Sequence, residues 1–120
     1  MSTPIGHDVR AALAGLPDMQ FKSLGDFNLG GVGVFRCGAG ASPWERHPDG
    51  DELLHVIEGA VDIEILGEKD SVTIHVEAGE LLVVPRGHWH RHTVADRLAE
   101  LYVTSGTTEH SDADDPRTEG

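Results

Sequence analysis

Residues 44–59 read WERHPDGDELLHVIEG and residues 79–94 read GELLVVPRGHWHRHTV. In the first stretch Glu45 and His47 are two apart, so on a strand they share one face. Pro48-Asp49-Gly50-Asp51 is a strong turn signal, and Glu52 opens the apolar run behind it. Glu52 therefore returns beside His47 across a hairpin. In the second stretch His88, His90 and His92 alternate after a Pro-x-Gly turn. Imidazoles and carboxylates from separate strands, meeting inside a barrel, can make a metal site that neither strand makes alone.

Outward from these stretches the chain reads as β. Val61, Ile63 and Ile65 alternate with Asp62 and Glu64, and Val72, Ile74 and Val76 repeat the pattern. Further short runs lie at 32–37, 53–58, 80–84, 90–94 and 99–104, with breakers at Gly59, Gly67–Asp70, Gly79, Pro85–Gly87 and Asp96. Many short strands at this spacing predict an all-β sandwich or barrel rather than βαβ units. One helix is predicted over residues 7–16, where Val9, Leu13 and Leu16 form an apolar stripe that Gly15 and Pro17 end. The expected organisation is an N-terminal helical segment at 1–18, a barrel at 19–105 and an acidic, flexible or loosely docked tail at 106–120.

A chain of 120 residues fits one domain, and its formal charge of −12 leaves no basic face for nucleic acid or an anionic membrane. The single cysteine, Cys37, cannot form an internal disulfide and suits a reducing cytosol. No apolar run nears the roughly 20 residues of a membrane span, and MSTPIGHDVR lacks the pattern of a signal peptide. The composition predicts a soluble cytoplasmic protein, and its 8 His are the first sign of chemistry.

The two stretches resemble the paired motifs of the cupin family. The first, G-x5-H-x-H-x3,4-E-x6-G, is met by His47, Glu52 and Gly59. The second, G-x5-P-x-G-x2-H-x3-N, is met by Gly79, Pro85, Gly87 and His90 without a gap. Three positions depart: Glu45 stands for the first His, Ala39 for the leading Gly and Val94 for the final Asn. The resemblance implies a double-stranded β-helix, or jelly-roll, barrel with one divalent metal. Carried over by position, the ligands are Glu45, His47, Glu52 and His90. The last three form a two-His, one-carboxylate set suited to non-haem iron and similar ions. With Glu45 added, the harder donor set favours Fe, Mn, Ni or Zn. Glu45 is either a ligand, a catalytic acid or base beside the metal, or an ion-pair partner of Arg46 or Arg36. The bare alternative is a metal-free pocket in which these residues bond one another.

Other residues carry blander expectations. His92 is read mainly as a wall residue, His55 as structural, His75 as solvent-facing and His110 as incidental. Trp44 and Trp89 are assigned to packing at strand ends, and Cys37 to the core. Phe35, Leu54, Val56, Ile63 and Tyr102 are candidates for the pocket. Leu53 and Ile57 form an apolar face that predicts a homodimer. The functional expectation is a mononuclear metal enzyme of dioxygenase or isomerase type acting on a small organic molecule. The alternative is a non-catalytic ligand-binding or sensor module.

Overall fold

The structure, a computed structural model, describes residues 4–118. Helix α1 (Val9–Ala14) precedes strands β1 (Gln20–Phe27), β2 (Gly30–Ala41), β3 (Trp44–Arg46), β4 (Glu52–Leu66), β5 (Ser71–Glu77), β6 (Leu81–Val84), β7 (His90–Thr104) and β8 (Glu109–Ser111), and a 3₁₀ turn at Pro116–Thr118 ends it. All strand pairings are antiparallel. The sheet runs β1-β2-β7-β3-β8, and β4 joins it through β7 while also pairing β5 and β6. β4 and β7 are long enough to serve both halves of the curled sheet, which gives the expected all-β barrel.

Two apparent breaks in the sequence are bends within continuous strands. Gly59 does not end a strand; it sits at a register shift between β4 and β7. It adopts φ +77°, and an added Cβ would collide with the Arg97 carbonyl oxygen. The run through Asp96 is likewise one strand, with an irregularity opposite Gly38–Gly40. Bulges of this kind bend and twist the long strands so that the sheet closes on itself. β1 gave no signal because its residues are exposed on both faces apart from the half-buried Leu24.

The barrel interior follows the period-two pattern. Leu54, Val56, Val61, Ile63 and Ile65 from β4 pack with Val76, Val84, Val94, Leu98 and Cys37. Asp62 and Glu64 face outward, as alternation requires. α1 is capped by the Asp8 carboxylate, which accepts a hydrogen bond from the Ala11 N–H at 3.0 Å. Its buried Leu13 packs on Val34 and Ala99, and the partly buried Ile57 joins this second cluster. Ile57, one of the two residues of the apolar face from which a homodimer is expected, is thus partly buried within the chain.

Within the acidic tail, residues 109–111 form β8. β8 pairs residue for residue with β3. The Trp44 indole N–H donates to the Asp114 carbonyl at 3.3 Å, and Arg117 donates to the Gly67 and Asp70 carbonyls at 2.9 Å. Hydrogen bonds and ion pairs hold this segment rather than apolar burial, and composition registers only the latter. Residues 1–3 and 119–120 lie outside the described residues.

Gly59 and Gly15 make a contrasting pair. Gly15 has φ −102° and open space around it. Gly59→Ala is expected to lower unfolding stability by more than about 2 kcal/mol, and Gly15→Ala to change it by less than about 1 kcal/mol. Urea denaturation of both variants checks this, and equal small effects would contradict the bend assigned to Gly59.

Candidate metal centre

Each side chain of the site is placed by an element already described. Glu45 lies on β3 directly across from His90, the first residue of β7. His47 follows β3, and the Gly87 N–H donates to its carbonyl at 2.9 Å, tying the two turns together. Glu52 opens β4 and pairs in register with Thr104 of β7. One donor atom from each of Glu45, His47, Glu52 and His90 lies within 4.8 Å of the other three.

The individual spacings are informative. His90 Nε2 is 3.0 Å from Glu52 Oε1 and 3.3 Å from Glu45 Oε1. His47 Nε2 is 3.2 Å from Glu52 Oε1 and 3.6 Å from Glu45 Oε1. Donors about 2.0–2.2 Å from a shared cation stand about 3.0–3.5 Å apart at neighbouring vertices. The four imidazole–carboxylate separations lie in or close to this range. Moreover, His47 Nε2 is buried and makes no hydrogen bond among the described residues. Glu52 Oε1 is near it in distance but off the line along which the ring N–H would donate.

The far sides of the rings agree. His90 Nδ1 lies 3.1 Å from the His88 carbonyl oxygen, which only accepts, so the proton sits on Nδ1 and Nε2 faces the cluster. His47 Nδ1 lies 3.0 Å from Thr108 Oγ1. The Thr104 hydroxyl donates to Glu52 Oε2 at 2.7 Å, which satisfies the second oxygen of a carboxylate only 4% exposed. The residues present therefore fit a divalent cation in number, type and spacing.

Electrostatics show how the cluster survives without one. Burial disfavours the charged form of every member, but the mutual hydrogen bonds and charges prevail. His47 is raised to about 9 and His90 to about 10 by Glu45 and Glu52. Glu52 is lowered to about 2 by the His47 and His90 rings beside it, and Glu45 is driven below the ordinary carboxylate range by the same rings. These directions favour imidazolium beside carboxylate, a pairing in which the charges of the cluster balance.

A cavity of about 650 Å³ opens over the cluster. Phe21, Phe35, Leu54, Val94 and Tyr102 make its apolar wall, while Glu45, His47 and Glu52 form the acidic floor. The Phe21 and Phe35 rings lie 4.3 Å apart, and Phe21 meets Tyr102 edge-on at 5.8 Å. Of the expected pocket residues, Phe35, Leu54 and Tyr102 line the cavity, whereas Val56 and Ile63 are fully buried in the core. Trp44 and Trp89 pack at strand ends with Leu66, and His75 is exposed beside Asp62 and Glu77. Cys37 is buried and lines the cavity; burial, then the Glu100 charge, push its thiol up and away from a reactive thiolate.

Three cavity residues were misjudged or missed in the sequence. His92 lines the cavity and bonds Glu100 Oε1 at 2.8 Å, so it is more than a wall. Glu100 is 4% exposed, and the inward alternation Leu98-Glu100-Tyr102-Thr104 was the signal that could have found it. His110 is not incidental: its Nε2 lies 3.5 Å from Glu45 Oε2 at the cavity edge.

The metal-free cluster has a pH signature. A histidine raised on folding adds stability that is complete below its unfolded value, about 6.5, and is lost as pH climbs through the folded value. In chelator, the urea midpoint is expected to fall as pH rises from 7 through about 9 and about 10, the folded values of His47 and His90. His90→Gln should flatten that decline. Parallel profiles for the two proteins would contradict the ion-paired cluster.

Comparison with known proteins agrees with this architecture. A family model described as "Cupin domain" matches residues 32–105. An acireductone dioxygenase from a Sulfurihydrogenibium species is 49% identical over 47 residues, which is 38% of this chain and 26% of that protein. The chain thus spans well under two thirds of that relative. Among solved structures, a cupin-2 domain protein from Shewanella frigidimarina aligns with TM-score 0.58 at 21% identity, covering 80% of this chain and 84% of that one. Hydroquinone 1,2-dioxygenase from a Sphingomonas species, solved with 4-hydroxybenzoate bound, aligns with TM-score 0.65 at 15% identity, covering 83% and 74%. The chain, with both gapped motifs, the curled antiparallel sheet and the match over most of its strands, belongs to the cupin family.

Proposed function

We propose that this cupin is a mononuclear metal enzyme, of dioxygenase or isomerase type, acting on a small organic molecule. The observation that carries the reading is the set of four donors within 4.8 Å of one another, with each imidazole 3.0–3.6 Å from both carboxylates, at and just beneath the cavity floor. His47, Glu52 and His90 would hold one divalent ion, of the Fe, Mn, Ni or Zn group, and Glu45 would complete the set. When bound, such an ion supplies Lewis-acid polarisation of a ligand oxygen and, if redox-active, access to O₂ chemistry. The aromatic wall of Phe21, Phe35 and Tyr102 binds a flat, largely apolar ligand against the polar floor and shields it from water. The buried His92–Glu100 pair gives the cavity a second polar pole that orients a hydroxyl or N–H of the ligand. The similarity to an acireductone dioxygenase supports the oxygenase assignment.

A second reading rests on one specific observation. Each imidazole lies 3.0–3.6 Å from both carboxylates, which favour its charged form, so a metal-free ligand-binding module is chemically self-consistent.

Elemental analysis of untagged protein, purified without a chelating column, separates the two. We expect close to one divalent ion per chain, and His90→Ala to remove most of it. Metal-free wild type that takes up no Fe(II), Mn(II), Ni(II) or Zn(II) in dialysis would establish the second reading.

Glu45 has a sharper test. Glu45→Gln is expected to weaken metal affinity, because its Oε1 occupies a vertex of the donor set. Unchanged affinity with lost turnover would instead make Glu45 a general base beside the ion.

A further inference from the structure

The segment that leads into β8 touches the donor set at several points. Thr107 donates its N–H and its hydroxyl to Asp49 Oδ2, both at 2.9 Å, within the turn that follows His47. Thr108 Oγ1 lies 3.0 Å from His47 Nδ1. β8 then runs along β3, with His110 opposite Glu45 and Glu109 opposite Arg46. The Arg46 guanidinium donates to Glu109 Oε1 at 2.8 Å, which fixes the strand pair from the outside.

We propose that Thr108 is a positioning residue of the metal centre, and that the C-terminal segment is thereby part of the site. This rests on the metal-centre reading above. A ring that binds a cation through Nε2 must carry its proton on Nδ1. Thr108 Oγ1 is the acceptor for that proton, so it holds the His47 ring in the ligating tautomer and at the ligating angle. For His90 the same service comes from the His88 carbonyl, two residues away on its own strand turn. For His47 it comes from a residue 61 positions later in the chain. Half of the imidazole set is therefore oriented only when the C-terminal segment is docked. Partners of this kind, which bind the far nitrogen of a ligating histidine, typically govern about 10–100-fold in metal affinity.

The test uses Zn(II) and full-length protein, in competition with a chromogenic chelator. Thr108→Val keeps the shape and removes the acceptor; it should weaken Zn(II) binding about 10–100-fold. Thr108→Ser keeps the hydroxyl and should bind within about threefold of wild type. Urea midpoints of the metal-free proteins are measured alongside. A merely structural role would lower the midpoint of Thr108→Val and leave its Zn(II) affinity at the wild-type value, and that result overturns the proposal. Long-range ¹H–¹⁵N spectra of Zn(II)-loaded wild type give an answer that needs no variant to fold. A proton on His47 Nδ1 supports the proposal, and a bare Nδ1 overturns it. Wild type that fails to bind Zn(II) at all overturns the metal-centre reading itself, whereas binding that is indifferent to Thr108→Val overturns this inference alone.

Discussion

A carboxylate buried inside a β-barrel must be neutralised, and the arrangement around Glu52 meets that requirement. An unpaired buried ion costs several kcal/mol even after the protein relaxes. Glu52 is 4% exposed; its Oε1 bonds His90 Nε2 at 3.0 Å and lies 3.2 Å from His47 Nε2, and its Oε2 accepts from the Thr104 hydroxyl. Each partner comes from a separate part of the chain. Thr104 ends β7, His90 begins it, and His47 sits on the far side of the Pro48–Asp51 turn. The charge is therefore tolerable only when the barrel has closed, and the closed barrel necessarily brings these donors together.

Closure in turn depends on two long strands that change direction without ending. β4 pairs β6 and the end of β7 near Glu52, then pairs β5 and the start of β7 beyond Gly59. β7 carries His90 at one end and Thr104 at the other, with Glu100 between them. A straight strand of that length would hold its ends far apart. The register shifts opposite Gly38–Gly40 and at Gly59 bend the pair, so that residues remote along one strand face the same cavity. Gly59 is thus a geometric requirement of the site as well as the last position of a sequence motif.

This explains why some features were legible in the sequence and others were not. The residues of the cluster were legible because each combines a chemically distinctive side chain with fixed spacing to a turn: His47 before Pro-Asp-Gly, Glu52 after it, His90 after Pro-Arg-Gly. The core was legible wherever one face met water, as at Val61, Ile63 and Ile65 between Asp62 and Glu64. β1 was not, because a strand exposed on both faces has no alternation to read. Strand ends at Gly59 and Asp96 were misplaced because a bulge and a turn use the same residues. The docking of residues 107–118 was invisible for a different reason. It is held by directional bonds to Asp49, His47, Trp44 and the 67–70 turn, and no composition rule reports a partner so distant in sequence.

The neutrality of the cluster also bears on its chemistry. Two carboxylates with two imidazolium ions carry no net charge, and neither do two carboxylates and two neutral imidazoles with a dication. Taking up a metal ion therefore exchanges two protons for one cation at constant charge, so the barrel need not reorganise its field to accept it. The His90 ring has its proton already placed on Nδ1 by a carbonyl, and His47 has a hydroxyl at the same position. Both rings thus lose only the Nε2 proton, the one that points into the cluster. A pocket meant to remain metal-free would gain by completing a hydrogen bond at His47 Nε2. That atom is instead buried and without a hydrogen bond among the described residues, within 4.8 Å of the other three donors. An orphaned donor costs about 1–3 kcal/mol, and a cation bound by the four donors would remove the cost. That balance favours the metal-binding reading over the self-paired one.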